Sequence, residues 1–126
     1  MRTRLSSTAC VLACAVTCAW PTETRRSVPA PFRGEWEVDG RLCGTGEGDG
    51  RLVVSAGQLE FYESIGPVRA VIVETPLDVT VVAELSGEGE TWLERHRFRL
   101  SRDHRTLEDA FEGGSVTRHR CDGKAA

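Results

Sequence analysis

From residue 32 onward the apolar residues alternate with polar ones or cluster as β-branched runs, and no 3.6-residue periodicity persists for the length of a helix. Turn-forming residues punctuate the pattern every dozen positions or so. This predicts an all-β chain with strands at 33–39, 50–55, 58–63, 67–74, 77–85, 90–100, 106–112 and 115–121. Ala56-Gly57 reads as a tight hairpin, and Ser86-Gly87-Glu88-Gly89 and Glu112-Gly113-Gly114-Ser115 supply positive φ. Gly66-Pro67 and Thr75-Pro76 are expected to break the ladder, because proline has no N–H to donate. Residues 101–105 suit a polar type I hairpin. With loops this short, successive strands should pair as an antiparallel meander.

Parity assigns the faces. Trp36 and Val38 lie on one side with Gly34, Leu59 and Phe61 share a face, and Val79, Val81, Ala83 and Leu85 form the cleanest row. Trp92, Phe98 and Leu100 follow on the longest strand, then Leu107 and Phe111; all of these should point inward. Glu35 and Glu37, and Arg95, Arg97 and Arg99, should face water. An eight-strand meander leaves two open edges unless its first strand closes on its last, so the expected architecture is a small antiparallel eight-stranded barrel.

The cysteines divide into two groups. Cys10, Cys14 and Cys18 crowd an apolar N-terminus, whereas Cys43 and Cys121 stand near the first and last predicted strands. A bridge between the latter pair needs those elements within about 7 Å, which a closed barrel provides and an open sheet does not. Met1 to Arg4 carry two positive charges, and Leu5 to Trp20 follow with apolar, small or hydroxyl side chains. That is an export pattern, with Thr17-Cys18-Ala19 satisfying the small-x-small rule for cleavage after Ala19. Lipidation at Cys18 or Cys14 is the alternative, and only lipidation would place the protein at a membrane. The domain reading is a signal peptide at 1–19, a disordered Pro-containing linker at 20–31 and a barrel at 32–123. The mature protein is expected to be secreted or periplasmic, with one disulfide.

Charge narrows the partners. The net charge is −3, which argues against a general nucleic-acid binder. No Gly-x-Ser-x-Gly elbow is present, and His96, His104 and His119 lack metal-ligand spacing. A cross-strand site from Glu94, His96 and His119 is conceivable in a barrel. Residues 44–50, glycine-rich with Asp39, Glu47 and Asp49 nearby, lack both the lysine of a phosphate loop and the spacing of a calcium loop. Paired-carboxylate chemistry would draw on Glu60, Glu63, Glu88 and Glu90, which read more simply as exposed strand and turn residues. Tyr62, flanked by Glu60 and Glu63, puts an aromatic ring outward amid charge, a modest interface signal.

Phe32-Arg33-Gly34-Glu35-Trp36 contains the Gly-x-Trp that opens the first strand of lipocalins and related calycin barrels, and the chain resembles them in this and in its strand count. The resemblance implies that Trp36 packs at a closed end beside an arginine of the last strand, for which Arg118 and Arg120 are the candidates. The chain also resembles a family of small uncharacterised exported bacterial proteins, through Gly-x-Trp, Phe61-Tyr62-Glu63-Ser64, the segment 87–92, Asp103 to Leu107 and a final Arg120-Cys121. That family brings no activity with it. The function expected is an exported, monomeric binding module without catalysis or cofactor. It resembles in size the small periplasmic barrels that inhibit proteases or lysozymes, and would bind an unknown envelope protein. The alternatives are a lipocalin-like carrier of a small apolar ligand and a lipid-anchored structural protein of the envelope.

Overall fold

The computed structural model of the protein describes residues 9, 11–13 and 21–122. Cys14, Cys18 and the cleavage site after Ala19 lie outside the described residues. Nine strands follow in order: β1 (Glu23–Arg25), β2 (Gly34–Glu37), β3 (Leu52–Val54), β4 (Gln58–Phe61), β5 (Ile65–Thr75), β6 (Asp78–Gly87), β7 (Glu90–Leu100), β8 (Thr106–Phe111) and β9 (Gly114–Arg120). All pairings are antiparallel, and β2 to β9 close on themselves through β2–β9 and β5–β6. The result is the expected eight-stranded barrel, with β1 as an added strand beside β5. Cys43 and Cys121 form a disulfide with their Cα atoms 5.4 Å apart. Such a bond belongs to an oxidising environment. No helix among the described residues is long and apolar enough to cross a membrane.

The up-and-down course sorts the turns to two ends. The β3–β4, β5–β6 and β7–β8 turns meet residues 28–33 at one end; the β2–β3 loop and the turns at 62–64, 88–89 and 112–113 form the other. The first end is sealed. Trp36, Phe32, Val28 and Leu107 are fully buried there, continuous with Leu52, Leu59, Val71, Val79, Val81 and Phe98. Each large apolar side chain so buried contributes about 1.5–3 kcal/mol against the unfolded chain.

Residues 23–32 are not the disordered linker expected of 20–31. β1 pairs Glu23, Thr24 and Arg25 with Val73, Ile72 and Val71, and Val28 enters the core with its N–H bonded to the Ala56 carbonyl at 2.8 Å. Apolar Val28 and Phe32 have a hydrophobic hole to fill, which outweighs the polar composition around them. Pro31 sits in the first turn of a 3₁₀ segment, Ala30–Phe32, where its missing donor costs nothing.

β5 also runs straight through Gly66-Pro67 instead of stopping there. The ladder to β6 has no pairs at these two residues, yet β4 continues to pair with both. Proline removes its hydrogen bond without ending the strand. Gly66 is required for a different reason: a Cβ there would lie 1.7 Å from the Glu84 carbonyl oxygen. The backbones of β5 and β6 touch at that point.

Three facing assignments change. Val38 is 47 % exposed because β2 ends at Glu37 and the chain turns into a 3₁₀ segment, Gly40–Leu42. Trp92 is partly exposed because the first half of β7 pairs only with β6 and projects past the barrel rim. Glu37, expected in water, is fully buried, because the disulfide draws the 38–51 loop back over the outer face of β2. A Cβ at Gly48 would sit 2.5 Å from Glu37 Oε2, so the loop closes directly on the carboxylate.

Candidate functional site

The barrel has a filled end and a hollow end. At the sealed end Arg120 lies over the Trp36 ring, 4.2 Å from its centroid, and the indole N–H donates to the Phe32 carbonyl at 2.9 Å. Arg120 also donates to the carbonyls of Pro31, Arg33 and His104. Burial, and then the neighbouring Arg105, hold its pKa below the usual guanidinium value. Arg120 is therefore the barrel-closing arginine. Arg118 is not: two residues back on β9 it shares the inward face but pairs opposite Leu107, too far along the strand to reach Trp36, and it serves the other end.

That other end opens into a hollow of about 780 Å³. Its floor is a chain of charged groups. Arg118 Nη1 donates to Asp109 Oδ2 at 2.8 Å and Arg118 Nε to the Gly50 carbonyl at 2.7 Å. Asp109 Oδ1 is 2.7 Å from His96 Nδ1. A carboxylate already held by a guanidinium is an acceptor only, so Nδ1 donates. His96 Nε2 then faces Glu94 Oε1 at 3.0 Å, but outside hydrogen-bonding alignment, and Nε2 has no hydrogen-bond partner. The other Glu94 oxygen accepts from the Trp92 indole at 2.8 Å. Asp109, His96 and Arg118 are buried, whereas the Glu94 side chain is one-third exposed and meets solvent.

Aromatic rings hold the imidazole in place. Phe61, Phe111 and Phe98 surround it with ring centroids 4.8, 5.7 and 5.9 Å away. Phe61 and Phe111 are only half-buried because they wall the hollow. The rim carries Leu42, Glu47 and Asp49 from the 38–51 loop and Tyr62, Glu63 and Ser64 from the β4–β5 turn. Tyr62 is half exposed.

The sequence-derived site residues thus separate. Tyr62 and Glu63 lie on the rim, while Glu60 is on the outer wall, 3.4 Å from Arg51. Glu94 and His96 come together, but His119 points outward and is exposed. Asp39 is bound by Arg41 and does not join Glu47 and Asp49; among the described residues no group of three or more His, Cys, Asp or Glu side chains is arranged to hold a metal. Asp109, the centre of the site, was not singled out by sequence. Its signal was there: it sits between inward-facing Leu107 and Phe111, so parity buries a carboxylate that needs a partner.

A second buried carboxylate lies beneath the rim loop. Neither oxygen of Glu37 has a hydrogen-bond partner. Burial, reinforced by Glu35, raises its pKa, with Arg51 and Arg118 opposing.

Together these features define a small closed β-barrel with a polar, aromatic-walled mouth. No protein-family model, no curated protein and no solved structure matches the chain.

Proposed function

We propose that the protein is an exported binding module, secreted or periplasmic, that takes its ligand at the open mouth of the barrel and performs no chemistry on it. The observation that carries this reading is the contrast between a sealed, fully packed end and a hollow of about 780 Å³ at the other, a volume within the usual range of ligand sites. A catalytic role for His96 has little support. Its free ring nitrogen is buried behind Glu94, and no hydroxyl or thiol among the described residues is hydrogen-bonded to it. The charged floor and rim also speak against a carrier of purely apolar ligands, because a ligand with no polar groups would desolvate Glu94 and Glu63 without compensation. Export rests on the charged-then-apolar N-terminus and the disulfide.

The test is a nuclear magnetic resonance screen of the oxidised protein against small fragments of cationic, neutral and anionic type. Binding should shift the amides of residues 42–49, 61–64, 94–96 and 109–111 and spare those around Trp36. Shifts confined to the sealed end, or no saturable shifts with any fragment, would overturn the reading.

A further inference from the structure

The floor of the mouth holds an imidazole between two carboxylates. Arg118 Nη1 donates to Asp109, Asp109 Oδ1 lies 2.7 Å from His96 Nδ1, and the remaining ring nitrogen stands 3.0 Å from Glu94 Oε1, out of hydrogen-bonding alignment, on the side of the hollow. His96 is 3 % exposed, so water does not satisfy that nitrogen. The nitrogen itself is closed off behind Glu94, and the one-third exposed Glu94 carboxylate beside it is the acceptor that an N–H entering the hollow can reach.

The rest of the lining selects the kind of N–H. Five carboxylates face the hollow against one guanidinium, and that guanidinium is already engaged by Asp109 and Gly50. Phe61, Tyr62 and Phe111 add ring faces and edges between the charges. Phe61 already has the Arg118 guanidinium 5.7 Å from its centroid, so an aromatic ring beside a cation is part of this site. A second hollow of about 250 Å³ shares Glu63 and Ser64 with the first and adds Glu88, Glu90 and Trp92, extending the same acidic and aromatic character along the rim.

We infer that the mouth binds an organic cation, an ammonium or guanidinium group on a short apolar stem, with Glu94 as the principal anchor and His96, fixed by Asp109 and Arg118, as the group that positions it. This inference rests on the binding-module reading and names its ligand class. The cation can belong to a free amine or to a lysine or arginine side chain of a protein; the chemistry read by the site is the same.

The experiment titrates the oxidised full-length mature protein with hexylammonium, with N-acetyl-arginine methylamide and N-acetyl-lysine methylamide, and with hexanol and hexanoate as neutral and anionic counterparts. Saturable binding of a cationic probe is expected, weakening several-fold between about 20 and about 300 mM salt as screening shortens the reach of the carboxylates. Hexanol and hexanoate should not bind. Glu94→Gln should weaken the cation about tenfold or more, the loss of one charge-assisted hydrogen bond, with its amide spectrum otherwise unchanged. Glu63→Gln, which leaves the buried chain intact, should weaken it less. Preference for hexylammonium assigns a free amine, and preference for the blocked amino acids assigns a basic side chain. Equal binding of hexanol or hexanoate, or an unchanged affinity in a folded Glu94→Gln protein, overturns the inference while leaving a binding mouth. Failure of every probe here and of every fragment in the screen overturns both.

Discussion

The two ends of this barrel use the same residue types for opposite purposes. At the sealed end Arg120 has donors taken by three carbonyls and its face covered by Trp36, and the aromatic and aliphatic side chains are fully buried. At the mouth Arg118 is equally engaged, but the chain it begins ends in an unpaired nitrogen, and the phenylalanines stop half-buried. One end therefore supplies stability, and the other holds polar groups in position at some cost. Damage to the first should lower stability without altering recognition. Damage to the rim of the second should do the reverse.

That division can be broken by substitution. Trp36→Ala should cost about 3–5 kcal/mol in urea unfolding, through lost burial and a cavity at the sealed end. A loss below 1 kcal/mol would mean that this end is not the packed one. Replacing Cys43 and Cys121 with serine should cost roughly 2–4 kcal/mol by freeing the unfolded chain. Unfolding the oxidised and reduced wild-type protein side by side provides the check. At the floor of the mouth, Asp109→Asn leaves Arg118 buried without its counter-charge and should cost about 3–5 kcal/mol, the one mouth substitution expected to reach into stability.

Glu37 gives the smaller effect and the one with a pH signature. Its carboxyl is held above the ordinary value of 4.5 in the folded protein, so in the interval above 4.5 the native state keeps a proton that the unfolded state has released. Stability then falls as pH rises through that interval and levels off once the folded protein has ionised as well. Glu37→Gln should accordingly be stabilising at neutral pH and close to neutral in effect below pH 4.5. Urea midpoints for both proteins across that range measure it, and a constant difference between them would exclude ionisation as the cause. Glu94→Gln, at the solvent-facing end of the chain, should change stability by less than about 0.5 kcal/mol.

Strand order, closure and the Cys43–Cys121 pair were all legible in the sequence, because alternation, turn residues and the need to remove two edges point to one topology. What escaped was set by the third dimension. Val28 and Phe32 look like parts of a spacer until the hole they fill is visible. Glu37 has the parity of a solvated residue and is buried only because a disulfide 78 residues long in sequence folds a loop onto it. At the mouth, His96 and Glu94 are recognisable from the sequence, but His119 is not their partner, since parity places it on the outer face. The alternation that points Leu107 and Phe111 inward points Asp109 inward as well, and its charge alone disguises it.

The seam between β2 and β9 consists of two residue pairs and joins the first strand of the barrel to its last. Arg120 crosses 87 positions to reach the Arg33 carbonyl, and the cysteines join beside it. A nascent chain therefore remains an unsealed ribbon until its final strand has been delivered. Maturation is thereby tied to completion: a C-terminally truncated product can neither shut the cylinder nor form its covalent lock.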